Sequence, residues 1–436
     1  MRNKDLFSYG FGLALAAGCL SAPVHAIDLT ADDWTFSVNG NINVNYIYSH
    51  CQSSTTAEPV AGGLACGGTP SSTNVSNVAN GLLPAAIVFG IKTTQNGLDI
   101  AGHFGLYPGI ATNDGGSPNL QQGAPAGTNV ALGTTGLDVR QVYVTVGNND
   151  IGTFTLGRNF GLFGFDAIIN DITIRGVGGG GAASGSSPAN TTLGSIGLGY
   201  IYVDTLAQIN YTTPTFSGFN FTFGIFDPLD ALTTPSTTVA TPAGPSVVAD
   251  TNAPKEAPGF HGKATYTLTI AEGVKLYVSG TAIAQKQDFV TAASTAVSYT
   301  GWGTDGFVKL DIHSFEFAGS YYHANGLGTT AFFDNSSDSA GNPRESDGYL
   351  VQGTYTTGPV KFGLNYGVSK LNVTNSADAI ANPNLVDRNS KVTFGVYYSL
   401  TKSLTLESEV SNVQSTAHDG DQNKSTNANI GAFFAF

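Results

Sequence analysis

Few stretches of this chain bring reactive side chains close enough in sequence for covalent or metal chemistry, and each fails on a neighbouring residue. Gly176-Val177-Gly178-Gly179-Gly180-Gly181 has the glycine pattern of a dinucleotide loop, yet no amphipathic helix follows to receive a pyrophosphate. Asp419, Asp421 and Asn423 open like a calcium loop, but Lys424 stands where the turn glycine belongs and Ile430 where a bidentate glutamate should close it. The histidines are scattered without zinc spacing; His103, His313 and His323 read as lumen or turn residues. No serine sits in a nucleophile elbow, so an enzyme would need a triad assembled across loops. The residues point instead to a non-enzyme without cofactor or metal, whose polar side chains act by position.

The elements that would position them begin with the run from Trp34 to Tyr48. Trp34, Phe36, Val38, Ile42, Val44, Tyr46 and Tyr48 alternate with Thr35, Ser37, Asn39, Asn41, Asn43 and Asn45, and only Gly40 breaks the apolar series. A period of two is a strand with one greasy and one wet face. About nine to eleven residues of tilted strand cross a bilayer, so this run is long enough. Unpaired strand edges are not tolerated in lipid, which leaves a closed barrel with a watery interior as the viable form. A soluble β-sandwich or β-helix with one dry face is the competing architecture, but such folds rarely need strands this long.

The N-terminus supplies a route to that membrane. Arg2 and Lys4 precede an apolar stretch from Phe11 to Leu20, and Ala22-Pro23-Val24-His25-Ala26 ends in small residues suited to signal peptidase, so residues 1–26 read as a signal peptide cleaved after Ala26. Leu15-Ala16-Ala17-Gly18-Cys19 loosely resembles a lipobox and is the competing site. No later run of about eighteen apolar residues offers a transmembrane helix. With Cys19 gone, Cys51 and Cys66 make a natural disulfide in an oxidising compartment; free thiols or a metal pair are the alternatives.

Composition agrees. Charged residues are 11% of the chain, glycines number 56 and the hydrophobic share is 41%, as alternating strands produce without raising mean hydropathy. Losing Arg2, Lys4 and Asp5 with the leader takes the formal charge from −13 to −14, and no basic patch offers itself to nucleic acid.

Along residues 27–436, alternation recurs between connectors that are short and long by turns. The short ones are Gln95-Asn96-Gly97, Gly147 to Asp150, Pro214 to Gly218, Ala271-Glu272-Gly273, the vicinity of His313-Ser314, Gly358-Pro359 and Thr401-Lys402-Ser403. The long ones fall at 50 to 80, 108 to 136, 160 to 206, 227 to 258, 286 to 300, 324 to 346, 371 to 388 and 415 to 424. Seven short and eight long connectors join sixteen strands, with short turns expected on the periplasmic side and long loops outside. Tyr46, Tyr48, Tyr321, Tyr322, Tyr397 and Tyr398 near strand ends suit aromatic girdles.

Ile430, Ala432, Phe434 and Phe436 alternate up to a terminal phenylalanine, which resembles the C-terminal signal read by the barrel assembly machinery of Gram-negative outer membranes. Arg140-Gln141-Val142-Tyr143-Val144, Gly152-Thr153-Phe154-Thr155-Leu156-Gly157-Arg158-Asn159-Phe160-Gly161, and Gln208-Ile209-Asn210-Tyr211 followed by Pro214 and Ser217-Gly218-Phe219 resemble the trimeric Gram-negative general diffusion porins. The likeness covers the mature chain in layout and is densest between residues 138 and 226.

That resemblance implies an all-β, 16-stranded antiparallel transmembrane barrel of the outer membrane, a homotrimer, whose third loop folds inward to narrow a water-filled channel for small hydrophilic solutes and ions. A connector as long as 160–206 needs such a reason, since loops beyond about 15 residues are usually functional or disordered. The family sets acids on this loop against a basic wall, which implies Asp166 and Asp171 on one side and Arg140 on the other, with Arg158 and Lys92 as weaker wall candidates; Arg158 has the alternative of holding a neighbouring loop at a subunit contact. The family's Pro-Glu-Phe-Gly-Gly stretch is replaced by Ile174-Arg175-Gly176-Val177-Gly178, so Arg175 stands in an acidic place, and Leu206-Ala207 stands where an arginine is expected. The acidic overall charge mildly favours cations. Outer-membrane lipids and lipopolysaccharide are the implied surroundings. A substrate-specific channel, or a structural or adhesive barrel, are the alternatives on the same fold.

Overall fold

The computed structural model describes residues 27–52, 60–68, 74–110, 137–180, 191–241, 244–291 and 294–436. The leader read from residues 1–26 lies outside these, as do residues 111–136 of the second long connector. Nineteen strands join one sheet, and it closes on itself: the last strand, Gln422–Ala435, pairs antiparallel with Trp34–Gln52, setting Ala435 opposite Asn41 and Lys424 opposite Gln52. Three of the nineteen prolong a longer neighbour. Ile27–Ala31 continues the line of the closing strand, Asn74–Ala79 that of Ala86–Gln95, and Thr251–Asn252 that of Gly259–Ala271. The other sixteen, of 8 to 19 residues, form a closed antiparallel barrel.

Closure leaves no strand edge in lipid and decides which face is wet. Ile42, Val44, Tyr46 and Tyr48 are exposed on the outside, while Asn41, Asn43 and Asn45 between them are buried inside. Residues directly opposite on neighbouring strands share a face, so outward aromatics line up: Tyr321 lies opposite Tyr349, whose ring is 6.1 Å from that of Tyr366. Gly40 breaks the apolar series for a steric reason. A Cβ there would lie 2.2 Å from the Ala86 carbonyl oxygen and 2.9 Å from the Phe436 ring, and the Gly40 and Phe436 backbones exchange hydrogen bonds of 2.9 and 3.0 Å where the barrel closes.

All seven short connectors lie between adjacent strands as expected, but two long ones are shorter than read. Val274–Val290 and Ala296–Ile312 pair as far as Val290 opposite Ala296, leaving 291–295, and the last loop shrinks to 418–421. The 286–300 stretch reads as a loop because Lys286 and Asp288 are polar on the outward row; they pair with each other at 2.8 Å while the ladder runs on. His103 points inward and stacks on Tyr143 at 4.5 Å, and His313 takes the turn at φ 50°. His323 is neither: its ring meets Trp302 at 5.6 Å on the outward row.

The interior is not uniformly wet. Toward the long-loop end, inward residues Phe226, Ile283, Phe289, Tyr299 and Tyr322 pack with Leu327, Phe332 and Phe333 of the 326–344 loop and with Phe163 and Ile201 of the 161–204 loop. Toward the short turns, inward Thr35, Lys92, Thr145, Thr155, Thr222, Lys263 and Thr265 are half-buried, and Asp99 and Lys275 exposed. Loops thus pack against one arc of the wall at one end of the lumen, and polar inward residues line the other end.

Candidate functional site

Between the strands Gly152–Phe160 and Thr205–Thr212, the described residues 161–180 and 191–204 run inside the barrel and are almost wholly buried. Gly164, at φ 75°, turns the chain into the short helix Phe165–Asn170, and Asp171 caps the following turn Ile172–Ile174 through the Thr173 amide at 2.9 Å. A six-residue helix has no stability of its own, so the surrounding wall must hold it.

The wall does so at three places. Asp166, 4% exposed, receives the Lys263 ammonium at 2.7 Å, the Tyr277 hydroxyl at 3.1 Å and the Ser279 hydroxyl, while the Gly164 amide donates to Asp305 at 2.7 Å. Asp171, 1% exposed, gathers the Thr173 amide and hydroxyl, the Tyr200 hydroxyl at 2.8 Å, the Ser195 amide and Asn365 Nδ2. Farther on, the Val177 and Gly178 amides donate to Glu409 at 2.9 and 2.8 Å, and Glu409 also receives the Tyr397 hydroxyl at 2.6 Å. Asn43 Nδ2 donates to the Arg175 carbonyl at 2.8 Å. A buried carboxylate is tolerated when donors surround it, and all three meet that condition. The loop is therefore fastened to the wall from Gly259–Ala271 round to Trp34–Gln52.

The family-implied residues fall in different surroundings. Asp166 and Asp171 anchor the loop. Arg140 is inward but buried, its Nε 2.9 Å from Asp138 and its guanidinium over the Tyr107 ring at 5.5 Å, away from the two aspartates' partners. The bulge at Gly105/Leu106 puts Arg140 and Gln141 both on the buried side. Lys92 is inward, opposite Thr35 and Ala101, in the wet half. Arg158 takes the outward row with Val142 and Ala207, its Nη2 3.0 Å from the Thr205 hydroxyl. Arg175 sits apart from the other basic candidates, 5.7 Å above the Phe433 ring and 3.4 Å from the Thr405 hydroxyl.

Several charged residues of the site escaped the sequence reading: Lys263, Lys309, Glu316, Lys361, Lys391, Glu407 and Glu409. Each lies on the inward row, and parity was the available signal, as with Lys309 between Val308 and Leu310 or Lys361 between Val360 and Phe362. Lys391, 1% exposed, donates to Ser195 Oγ at 2.7 Å.

Outside the membrane span, two outer loops are clasped by Arg344 and Asp378. Arg344 Nε and Nη2 donate to the two Asp378 oxygens at 2.8 and 2.6 Å. Burial pushes the Asp378 carboxyl up, but the Arg344 hydrogen bonds, the Thr374 amide, the Arg344 charge and Asn382 outweigh it and hold it at about 2. Cys51 and Cys66 form a disulfide, Cα atoms 5.0 Å apart, that ties the start of the first long loop to the first strand.

A model of the family described as Gram-negative porin matches residues 12–418. No curated protein matches the sequence. Among solved structures the chain is similar to the outer membrane channel DcaP of Acinetobacter baumannii, at 13% identity and TM-score 0.64 over 93% of this chain and 99% of that one. It is similar to the anion-selective porin from Comamonas acidovorans, at 13% identity and TM-score 0.55 over 92% and 100%. A third is the trimer form of OmpT, an outer membrane protein of Vibrio cholerae, at 14% identity and TM-score 0.51 over 93% and 100%. Likenesses at these identities establish the fold alone.

Proposed function

We propose that in this chain, which belongs to the Gram-negative porin family, the inward loop sets the size and charge limits on what crosses. The protein is an outer-membrane channel for passive diffusion. The observation that carries our reading is the fastening of the inward loop to the wall through Asp166 to Lys263, Asp171 to Asn365, and the Val177 amide to Glu409, which fixes the width of the passage without chemistry. Small hydrophilic solutes and ions enter the half lined by threonines and lysines, Lys92 among them, and meet the loop at Arg175. Arg140, paired with Asp138, supports the opposite wall.

The chain works as a homotrimer in lipid and lipopolysaccharide. The outward row of Arg158 supports its reading as a residue at a subunit contact, and the similar OmpT structure is a trimer form. Removal of residues 1–26 frees Ile27 to prolong the closing strand beyond Phe436, and Phe434 and Phe436 present the assembly machinery with its signal.

Liposome swelling tests the reading. Vesicles bearing the purified protein should swell in arabinose, more slowly in glucose, and hardly in raffinose. Equal rates for all three sugars would remove the loop as the sieve.

A further inference from the structure

We propose that residues 60–66, braced by the Cys51–Cys66 disulfide, are a second element of the sieve. With the 326–344 loop they clamp the return limb of the inward loop at Gly197, and so share in setting the size limit of the passage. The inference rests on the reading of the inward loop as the sieve and deepens it by naming what holds its far limb.

The two cysteines stand 15 residues apart and both are buried. Cys51 is the last inward residue of Trp34–Gln52, in the row of Asn43, Asn45 and Ile47. The bond therefore turns the first long loop back into the lumen. There residues 60–66 lie along the inner wall. The Val60 amide donates to Asn423 Oδ1 at 2.8 Å, the Leu64 and Ala65 amides donate to Ser415 Oγ at 2.9 and 3.0 Å, and Asn389 Nδ2 donates to the Gly62 carbonyl at 3.0 Å. Asn389, Ser415 and Asn423 are all on inward rows and buried. Ala61 stays exposed and Gly62 to Leu64 half-buried, so the segment borders open space on its other side.

Leu64 makes the contact that reaches the inward loop. Its side chain packs with Ala65, Leu198 and Val413, and against the buried cluster that holds Ile196 and Tyr200. At Gly197 the limb is gripped from two loops. A Cβ there would lie 2.6 Å from Leu64 Cδ1 and 2.5 Å from Thr330 Oγ1, and the backbone takes φ 70°, which favours glycine. The Tyr202 amide also donates to the Thr330 carbonyl at 2.8 Å. Ser195 and Tyr200, before and after the grip, both donate to Asp171, the acid that joins the loop to Asn365. A clamp on Gly197 thus keeps that acid's donors in place. Leu64 is a positioning residue, and the disulfide is what holds it there covalently. Closing a loop of about 15 residues in this way restricts the open chain roughly a hundredfold.

The double variant Cys51→Ser with Cys66→Ser tests the brace in the full mature protein, with folding checked by heat-modifiable migration. Leu64→Ala keeps the disulfide and removes the contact, so it answers the same question if the double variant fails to fold. Two readouts are needed: amide exchange at residues 196–198, and liposome swelling in arabinose and raffinose. In the double variant exchange should quicken about tenfold, less than the whole effect of the bond because the hydrogen bonds to the wall remain. The exclusion of raffinose should be lost. Leu64→Ala should move both readouts in the same direction and by less. Quickening confined to residues 60–66, or raffinose still excluded, would make the disulfide a fastening of its own loop alone and overturn the proposal. Wild-type vesicles that admit no arabinose remove the channel reading, while exchange at 196–198 still decides the clamp.

Discussion

Replacing Asp166 by alanine should loosen the inward loop without unfolding the barrel. In the native protein this carboxylate holds the Lys263 ammonium at 2.7 Å, the Tyr277 hydroxyl at 3.1 Å and the Ser279 hydroxyl, at 4% exposure. Its removal strands an ammonium whose side chain is 10% exposed and leaves two hydroxyls without that acceptor. Breaking a buried pair from one side costs roughly 3–5 kcal/mol. Lys263 can swing toward the wet half of the lumen and recover part of its hydration, so about 2–3 kcal/mol is expected at the loop. The helix Phe165–Asn170 cannot resist that loss alone, being six residues long. Asp166→Asn keeps an acceptor and should lose less. The double variant Asp166→Ala with Lys263→Met removes the stranded charge and should recover about 1 kcal/mol or more relative to the sum of the singles. Single-channel recordings read the effect as open-state noise, and liposome swelling reads it as faster entry of raffinose. Asp166→Ala with wild-type noise and wild-type sieving would refute the anchoring argument.

Three further outcomes follow from the same geometry. Gly40→Val should abolish most of the heat-modifiable folded band, because its side chain meets the Ala86 carbonyl and the Phe436 ring; Phe436→Ala should fail to rescue it, since the Ala86 oxygen stays 2.2 Å from the Cβ. The clasp between outer loops should be pH-dependent in a set direction. Asp378, held at about 2 against an ordinary 3.8, contributes about 2 kcal/mol that is present above pH 4 and lost as pH falls through 2, so amide exchange at 374–382 should quicken only near pH 2, and at pH 7 in Asp378→Asn. Protein from the membrane should begin at Ile27 on N-terminal sequencing and show no thiol to Ellman's reagent until reduced, with two afterwards; a free thiol before reduction would contradict the Cys51–Cys66 pairing.

The barrel was legible because strand alternation is local: each outward apolar residue from Trp34 to Tyr48 announces its face within two positions. Gly40 announced itself as an exception, but its reason lies in Phe436, far away in sequence. The loop was legible as a long connector, and its anchors were not, since Asp166 meets partners 97 to 113 residues away. Burial of Asp166 and Asp171 among donors turns residues read as facing the passage into fastenings. Arg158 shows the limit of reading a motif without parity, because its outward row follows from the register with Val142. The apolar cluster of Phe289, Tyr299, Phe332 and Phe333 left no trace in the alternation, as an inward phenylalanine beside an outward valine looks like a run of either face. The inward lysines Lys263, Lys309, Lys361 and Lys391 were readable by parity alone.

The central claim is that a fixed loop leaves a permanent aqueous path through the barrel. Single-channel current of the detergent-purified protein in a planar bilayer tests it most directly. Stable, ohmic steps that close in thirds are expected from an open trimer. Correctly folded barrels that carry no current would contradict the account and leave the loops as a plug.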